Sequence, residues 1–162
     1  MRYGSTALRT LLLLVPFLAA SAATAQVNDC TWPTATDQLN EPGITITFAN
    51  GNFSYAPRCV IIEQGTQVTF SADSGTFGNH PLVGGRVENG VEIPDPTSPI
   101  PHTTSGTTVS FTFDNAGIYP FYCDNHSVTF SMYGAIYVAL FADGFESQDT
   151  CSWDLSTPLP CD

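Results

Sequence analysis

The chain has 162 residues, of which 12 % are charged, with four basic side chains against fifteen carboxylates and a formal net charge of −11. That length suits one domain with a real core, and the charge excludes a surface that attracts nucleic acid or anionic lipid headgroups. The same acidity would steer a partner that carries a basic patch, and it also keeps an exported protein soluble.

In chain order, Arg2 and Arg9 supply a basic start, Leu11 to Ala20 is apolar, and Ala23-Thr24-Ala25 is a small-residue cleavage site before Gln26. Residues 1–25 are therefore predicted to be an export signal, which places the mature protein in the periplasm or outside the cell. The apolar run is too short to span a bilayer and contains Pro16, and no later segment matches it, so no membrane span is expected. Its removal leaves 137 residues, with Arg58 and Arg86 as the only fixed cations against fifteen carboxylates, a net charge of about −13.

Residues 26–43 read as a polar lead-in containing Pro33 and Pro42, and residues 44–140 as the domain proper. Ile44-Thr45-Ile46-Thr47-Phe48 alternates as a half-buried strand does, and Asn50-Gly51 is a turn signal. Phe53-Ser54-Tyr55 leads through Pro57 to Cys59-Val60-Ile61-Ile62, a buried strand, and Gln67-Val68-Thr69-Phe70 is the next. From Asp73 to Ser105 the chain is rich in Gly, Pro, Ser and Asn, which predicts a long loop region carrying His80. Strand signals resume at Thr107 to Phe113, pause at Asp114-Asn115-Ala116-Gly117, return at Ile118 to Tyr122 and close with Gly134 to Leu140. No window is convincingly an amphipathic helix, although one helical turn near Cys123 is compatible with the pattern. The predicted fold is all-β, a single-domain Greek-key sandwich of antiparallel strands. Residues 141–162 form an acidic tail, with Phe141-Ala142-Asp143-Gly144-Phe145-Glu146-Ser147 and Trp153, that would serve sorting or partner contact or lie as a surface flap.

Five cysteines, Cys30, Cys59, Cys123, Cys151 and Cys161, are odd in number for an exported protein, which should pair those it does not use otherwise. With Cys123 set aside, three pairings of the other four are possible. Cys30 with Cys59 and Cys151 with Cys161 are favoured because each joins segments close in sequence.

Cys123 is set aside because of its company. Tyr119-Pro120-Phe121-Tyr122-Cys123-Asp124-Asn125-His126 is followed by Met132, the only methionine after the signal, and preceded upstream by Asn79-His80-Pro81. One thiolate, two imidazoles and a thioether make the ligand set of a mononuclear blue-copper site, in which the thiolate binds strongly and a weak axial thioether helps set the potential. His102, in a Pro-Ile-Pro-His-Thr-Thr segment, reads as a surface residue instead.

From about Phe53 to Val138 the chain resembles the cupredoxins of the plastocyanin and pseudoazurin type. The likeness rests on the Pro-containing approach to an early strand, Gly-x-x-Val-x-Phe at Gly65 to Phe70, the upstream His, and Gly-x-Tyr-x-Phe-Tyr-Cys-x-x-His-x-x-x-x-x-Met-x-Gly at Gly117 to Gly134. It implies a Greek-key sandwich and one type 1 copper ion held by His80, Cys123, His126 and Met132. It further implies one-electron transfer between redox protein partners by a monomer. Two positions depart from the family pattern: five residues, Ser127 to Ser131, separate His126 from Met132 where four are usual, and Pro81 follows His80 where an Asn often ties the two ligand loops together.

A single copper fully ligated by protein leaves no coordination position for substrate, so the expectation is a carrier and not an enzyme. Three histidines cannot supply a second, catalytic copper, and the ligand loop lacks the second Cys of a binuclear centre. The alternative is a copper-binding or copper-delivery protein that uses the metal affinity of the same residues. A structural sandwich with a vestigial site would need all four ligands to coincide by accident.

Overall fold

Alternation in the sequence becomes burial in the fold. A computed structural model describes residues 26–140, so the predicted export signal, the acidic tail and the Cys151–Cys161 pairing lie outside the described residues. Ten strands form two facing sheets: β1 (Thr36–Asp37), β2 (Gly43–Ala49), β3 (Asn52–Ala56), β4 (Cys59–Glu63), β5 (Gln67–Ser74), β6 (Leu82–Glu88), β7 (Val91–Pro94), β8 (Thr108–Thr112), β9 (Gly117–Cys123) and β10 (Tyr133–Ala139). A single turn of helix, α1 (Ser127–Phe130), interrupts the last pair. One sheet has the order β1-β4-β10-β9-β6-β7 and the other β3-β2-β5-β8. This is the all-β sandwich that the sequence predicts.

Ile44, Ile46 and Phe48 of β2, Val68 and Phe70 of β5, and Phe121 of β9 meet Val60, Ile62, Ile136 and Val138 in the core between the sheets. Each large apolar side chain so buried contributes about 1.5–3 kcal/mol. Apolar runs behave differently from alternating ones. In β4 and β10, Val60, Ile62, Ile136 and Val138 join the inner core, while Ile61, Ala135 and Tyr137 join a second cluster with Cys30 on the outer face of the same sheet. Strands apolar on both faces need a cover on each side.

The cover is the segment expected to be a mere lead-in. Val27, Ala35 and Leu39 pack on that outer cluster, Trp32 meets Tyr137 edge to face, and β1 adds to β4 as a parallel edge strand. Cys30 and Cys59 form the favoured disulfide, which closes a loop with a sequence separation of 29 and contributes about 2–4 kcal/mol. Asn28, 5 % exposed, shares its amide N–H groups among the carbonyls of Gly85 (3.4 Å), Phe121 (3.0 Å) and Gly134 (2.9 Å), and its Oδ1 accepts from the Val87 N–H at 2.8 Å. One side chain thus bridges β6, β9 and β10. Arg58 donates to the carbonyls of Asn28 and Tyr133, both at 3.0 Å, and pairs with Asp29 at 3.1 Å.

Two expectations need correction. The strands are not all antiparallel, since β2–β5, β4–β10 and β1–β4 are parallel pairs. These pairs join strands that are distant in sequence, so no turn signal announces them. Nor is 73–105 one long loop: β5 extends to Ser74, and β6 and β7 form a hairpin within it. The strand signal of β6 is diluted by Gly84 and Gly85. A Cβ on Gly84 would collide with Ser98 and the Ile100 carbonyl, and one on Gly85, at φ +148°, with the Ile93 carbonyl, so close approach of neighbouring chain selects glycine there.

Candidate metal centre

Leu82 of β6 faces Cys123 at the end of β9, and this register brings the turn before β6 alongside the loop after β9. That turn is tied down by its own backbone: the N–H groups of Asn79 and His80 donate to the Thr76 carbonyl at 3.0 and 3.1 Å, and Phe77 N–H donates to Gly106 at 2.9 Å. The Asp124 N–H continues the ladder to the Pro81 carbonyl at 3.0 Å. Beyond Cys123, the His126 N–H turns back to the Cys123 carbonyl at 3.1 Å. The five residues between His126 and Met132 are absorbed as α1 followed by Ser131 in the left-handed region at φ 56°. Met132 then returns its N–H to the His126 carbonyl at 3.3 Å and accepts the Cys123 N–H at 2.9 Å, closing the loop on itself.

The loops bring together three of the expected donors. Cys123 Sγ lies 3.9 Å from His80 Nδ1 and 3.4 Å from His126 Nδ1, and the three donor atoms lie within 4.8 Å of one another. A metal about 2 Å from a nitrogen and about 2.3 Å from a sulfur sets those two donors about 3.5 Å apart, so the observed separations fit one shared ion. Cys123 is the free cysteine among the described residues, which agrees with its being set aside from the disulfides. Cys123 and His80 are buried, His126 is half-buried, and Met132 is fully buried in the same apolar cluster as Cys123. His102 stands apart at the surface with its Nε2 3.7 Å from Asp124 Oδ2.

Burial pushes the Cys123 thiol up to about 11, against the pull of the Asn125 and His126 backbone N–H groups and with the Asp124 and Glu92 carboxylates adding to it. The metal-free protein therefore holds a neutral thiol at pH 7, and a metal must displace its proton. Burial first, and then the neighbouring His126, lowers His80 below the ordinary histidine value, which keeps its imidazole neutral and free to donate a lone pair. A soft sulfur and two imidazoles in a largely buried pocket suit copper.

The tie between the loops, in doubt where Pro81 replaces the usual Asn, is made from the other side. Asn125 Nδ2 donates to the Asn79 carbonyl at 3.2 Å, while the Asn79 side chain stays within its own turn beside Thr76. Two aromatic residues that the sequence reading did not single out line the centre. Phe53 lies 4.7 Å from the His126 ring and stacks on Phe130 at 4.1 Å. Phe53 could have been found only by pairing distant segments, whereas Asn125 and Phe130 stand in the ligand loop itself.

Among solved structures, a purple cupredoxin from Nitrosopumilus maritimus is 27 % identical, over 59 % of this chain and 99 % of that one, with a TM-score of 0.43. Pseudoazurin from Methylobacterium extorquens AM1 is 20 % identical over 64 % of this chain and 80 % of its own, with a TM-score of 0.44. A copper-containing nitrite reductase from Thermus scotoductus SA-01 is 24 % identical over 60 % of this chain but only 22 % of its own, with a TM-score of 0.41. No curated protein matches. The family described as copper binding proteins, plastocyanin/azurin family, matches residues 42–139, which is more than half of the chain and spans all three converging donors and Met132. The chain belongs to this copper-binding plastocyanin/azurin family.

Proposed function

We propose that the protein is an exported single-electron carrier whose one type 1 copper would be held by His80, Cys123, His126 and Met132. The observation that carries this reading is the convergence of one buried thiol on two imidazole Nδ1 atoms, at 3.4 and 3.9 Å, in a member of a copper-binding family. Copper bound by such a set alternates between Cu(I) and Cu(II) and so supplies one-electron chemistry.

The residues around the donors support a carrier. His80 is sealed by Phe48, 5.7 Å away edge to face, and Cys123 by the inner core, which excludes water and limits rearrangement of the donors. His126 differs in being half-buried, so its ring is the path by which an electron reaches a docked partner while the thiolate stays enclosed. Three donors and the thioether fill a type 1 set and leave no place for substrate. The mature acidity favours redox partners with a basic surface. Among the described residues, no helix is long and apolar enough to cross a membrane.

The test is titration of the metal-free protein with Cu(II). One equivalent should produce an intense visible charge-transfer band, and Cys123→Ser should abolish it; a band that survives the substitution removes Cys123 from the site. Voltammetry of the loaded protein then separates the two uses of the metal. Reversible cycling with fast self-exchange supports carriage, and ready loss of Cu(I) to a chelating acceptor without such cycling supports delivery.

A further inference from the structure

The β6–β7 hairpin does more than extend its sheet. Its Asn89-Gly90 turn brings it back along α1, close enough that a Cβ on Gly90 would stand 4.0 Å from Val128 Cγ1. On β7, Glu92 pairs with Val87 across the hairpin and its Oε1 accepts a hydrogen bond from Ser127 Oγ. Ser127 follows His126 directly, is the first residue of α1 and is 1 % exposed. Its hydroxyl would be an unpaired polar group in the interior without this carboxylate. Glu92 in turn is half-buried and, among the described residues, forms no ion pair, since Arg86 pairs with Glu88 and Arg58 with Asp29.

We propose that Glu92 is a positioning residue for the metal centre: it holds α1, and with it the His126 loop, against the hairpin through Ser127, and it sets a negative charge against the residue next to His126. The clamp acts on the one donor whose loop is short, irregular and partly exposed. His80 needs no such clamp, because its turn is closed by its own backbone bonds to Thr76. The charge lies close to the centre, because the hydroxyl that Glu92 grips belongs to the residue directly after His126. A carboxylate without a cation partner favours the more positive of two metal states, here Cu(II) over Cu(I).

The inference rests on the copper reading above, so its test carries one readout with metal and one without. Glu92→Gln keeps an acceptor for Ser127 and removes the charge; the ratio of Cu(II) to Cu(I) affinity should fall about tenfold, a rise of about 59 mV in one-electron potential. Ser127→Ala keeps the charge and removes the clamp. In the metal-free protein, amide hydrogen exchange across Ser127 to Phe130 should then quicken about tenfold, while in the loaded protein the affinity ratio moves less than about threefold. Glu92→Asp, a methylene too short to reach the hydroxyl, should act like Ser127→Ala and decides the matter should that variant not fold. An unchanged affinity ratio in Glu92→Gln, or unchanged exchange in both clamp variants, overturns the proposal. Failure of the wild type to bind copper would instead sink the copper reading, because the metal-free exchange result does not depend on it.

Discussion

Two short irregular segments lie against strand β9 and differ in how far they are enclosed. The N-terminal strap, residues 26–30, buries Asn28 on the outer face, satisfies its amide with backbone partners from three strands, and is tied down by the Cys30–Cys59 disulfide. The ligand loop from Cys123 to Met132 buries both its ends, and between them leaves Val128 54 % and Phe130 49 % exposed. The contrast separates bracing from access. Strands β6, β9 and β10 are braced from outside by bonds that have nothing to do with metal, so the donors are already held when metal arrives, and access is conceded only around His126.

The largest effect is expected on the braced side. Asn28→Ala leaves the carbonyls of Gly85, Phe121 and Gly134 and the N–H of Val87 without their partner, which should cost about 2–4 kcal/mol in urea unfolding of the metal-free, disulfide-intact protein. A loss below about 0.5 kcal/mol would show that water takes over the role of the amide.

A comparable loss is expected at the ligand end from pH alone. Below the ordinary value of 9.0 the Cys123 thiol is protonated in both folded and unfolded chains and pH has no hold on it. Between there and its folded value of about 11 the unfolded chain ionises first, so stability of the metal-free protein falls with rising pH by about 2–3 kcal/mol. Tyr122, which burial raises to about 12 with help from Glu92 and Asp124, continues the loss above pH 10. Chemical denaturation at a series of alkaline pH values checks this, and Cys123→Ser should flatten the first part of the slope. A slope equally steep in that variant would assign the loss to the tyrosines.

The smallest effect belongs to the exposed rim. Phe130→Ala removes the stacking partner of Phe53 at the surface, so stability should fall by only about 0.5–1 kcal/mol. Copper release should quicken by a few-fold, measured by competition with a chelator. Release unchanged while stability falls would mean that the stack packs the surface without steadying His126.

Much of this was legible before any coordinates. Alternating apolar residues marked β2 and β5, because one side of each faces the core, and the unbroken run at Cys59 to Ile62 marked a buried strand. Cys123, His126 and Met132 could be picked out because they share one loop, where spacing along the chain limits spacing in space. The odd count of cysteines pointed to the same thiol. What only the tertiary structure decided is everything that depends on distant segments meeting: the parallel pairs, the weaving of the lead-in into the outer face, the β6–β7 hairpin hidden by its glycines, and the arrival of His80 beside Cys123 through the Leu82–Cys123 register. Side-chain chemistry and local periodicity are written residue by residue. Which strands become neighbours is settled by burying both faces of a sheet at once and leaving few polar groups unpaired, a condition on the whole chain that no single window of it expresses.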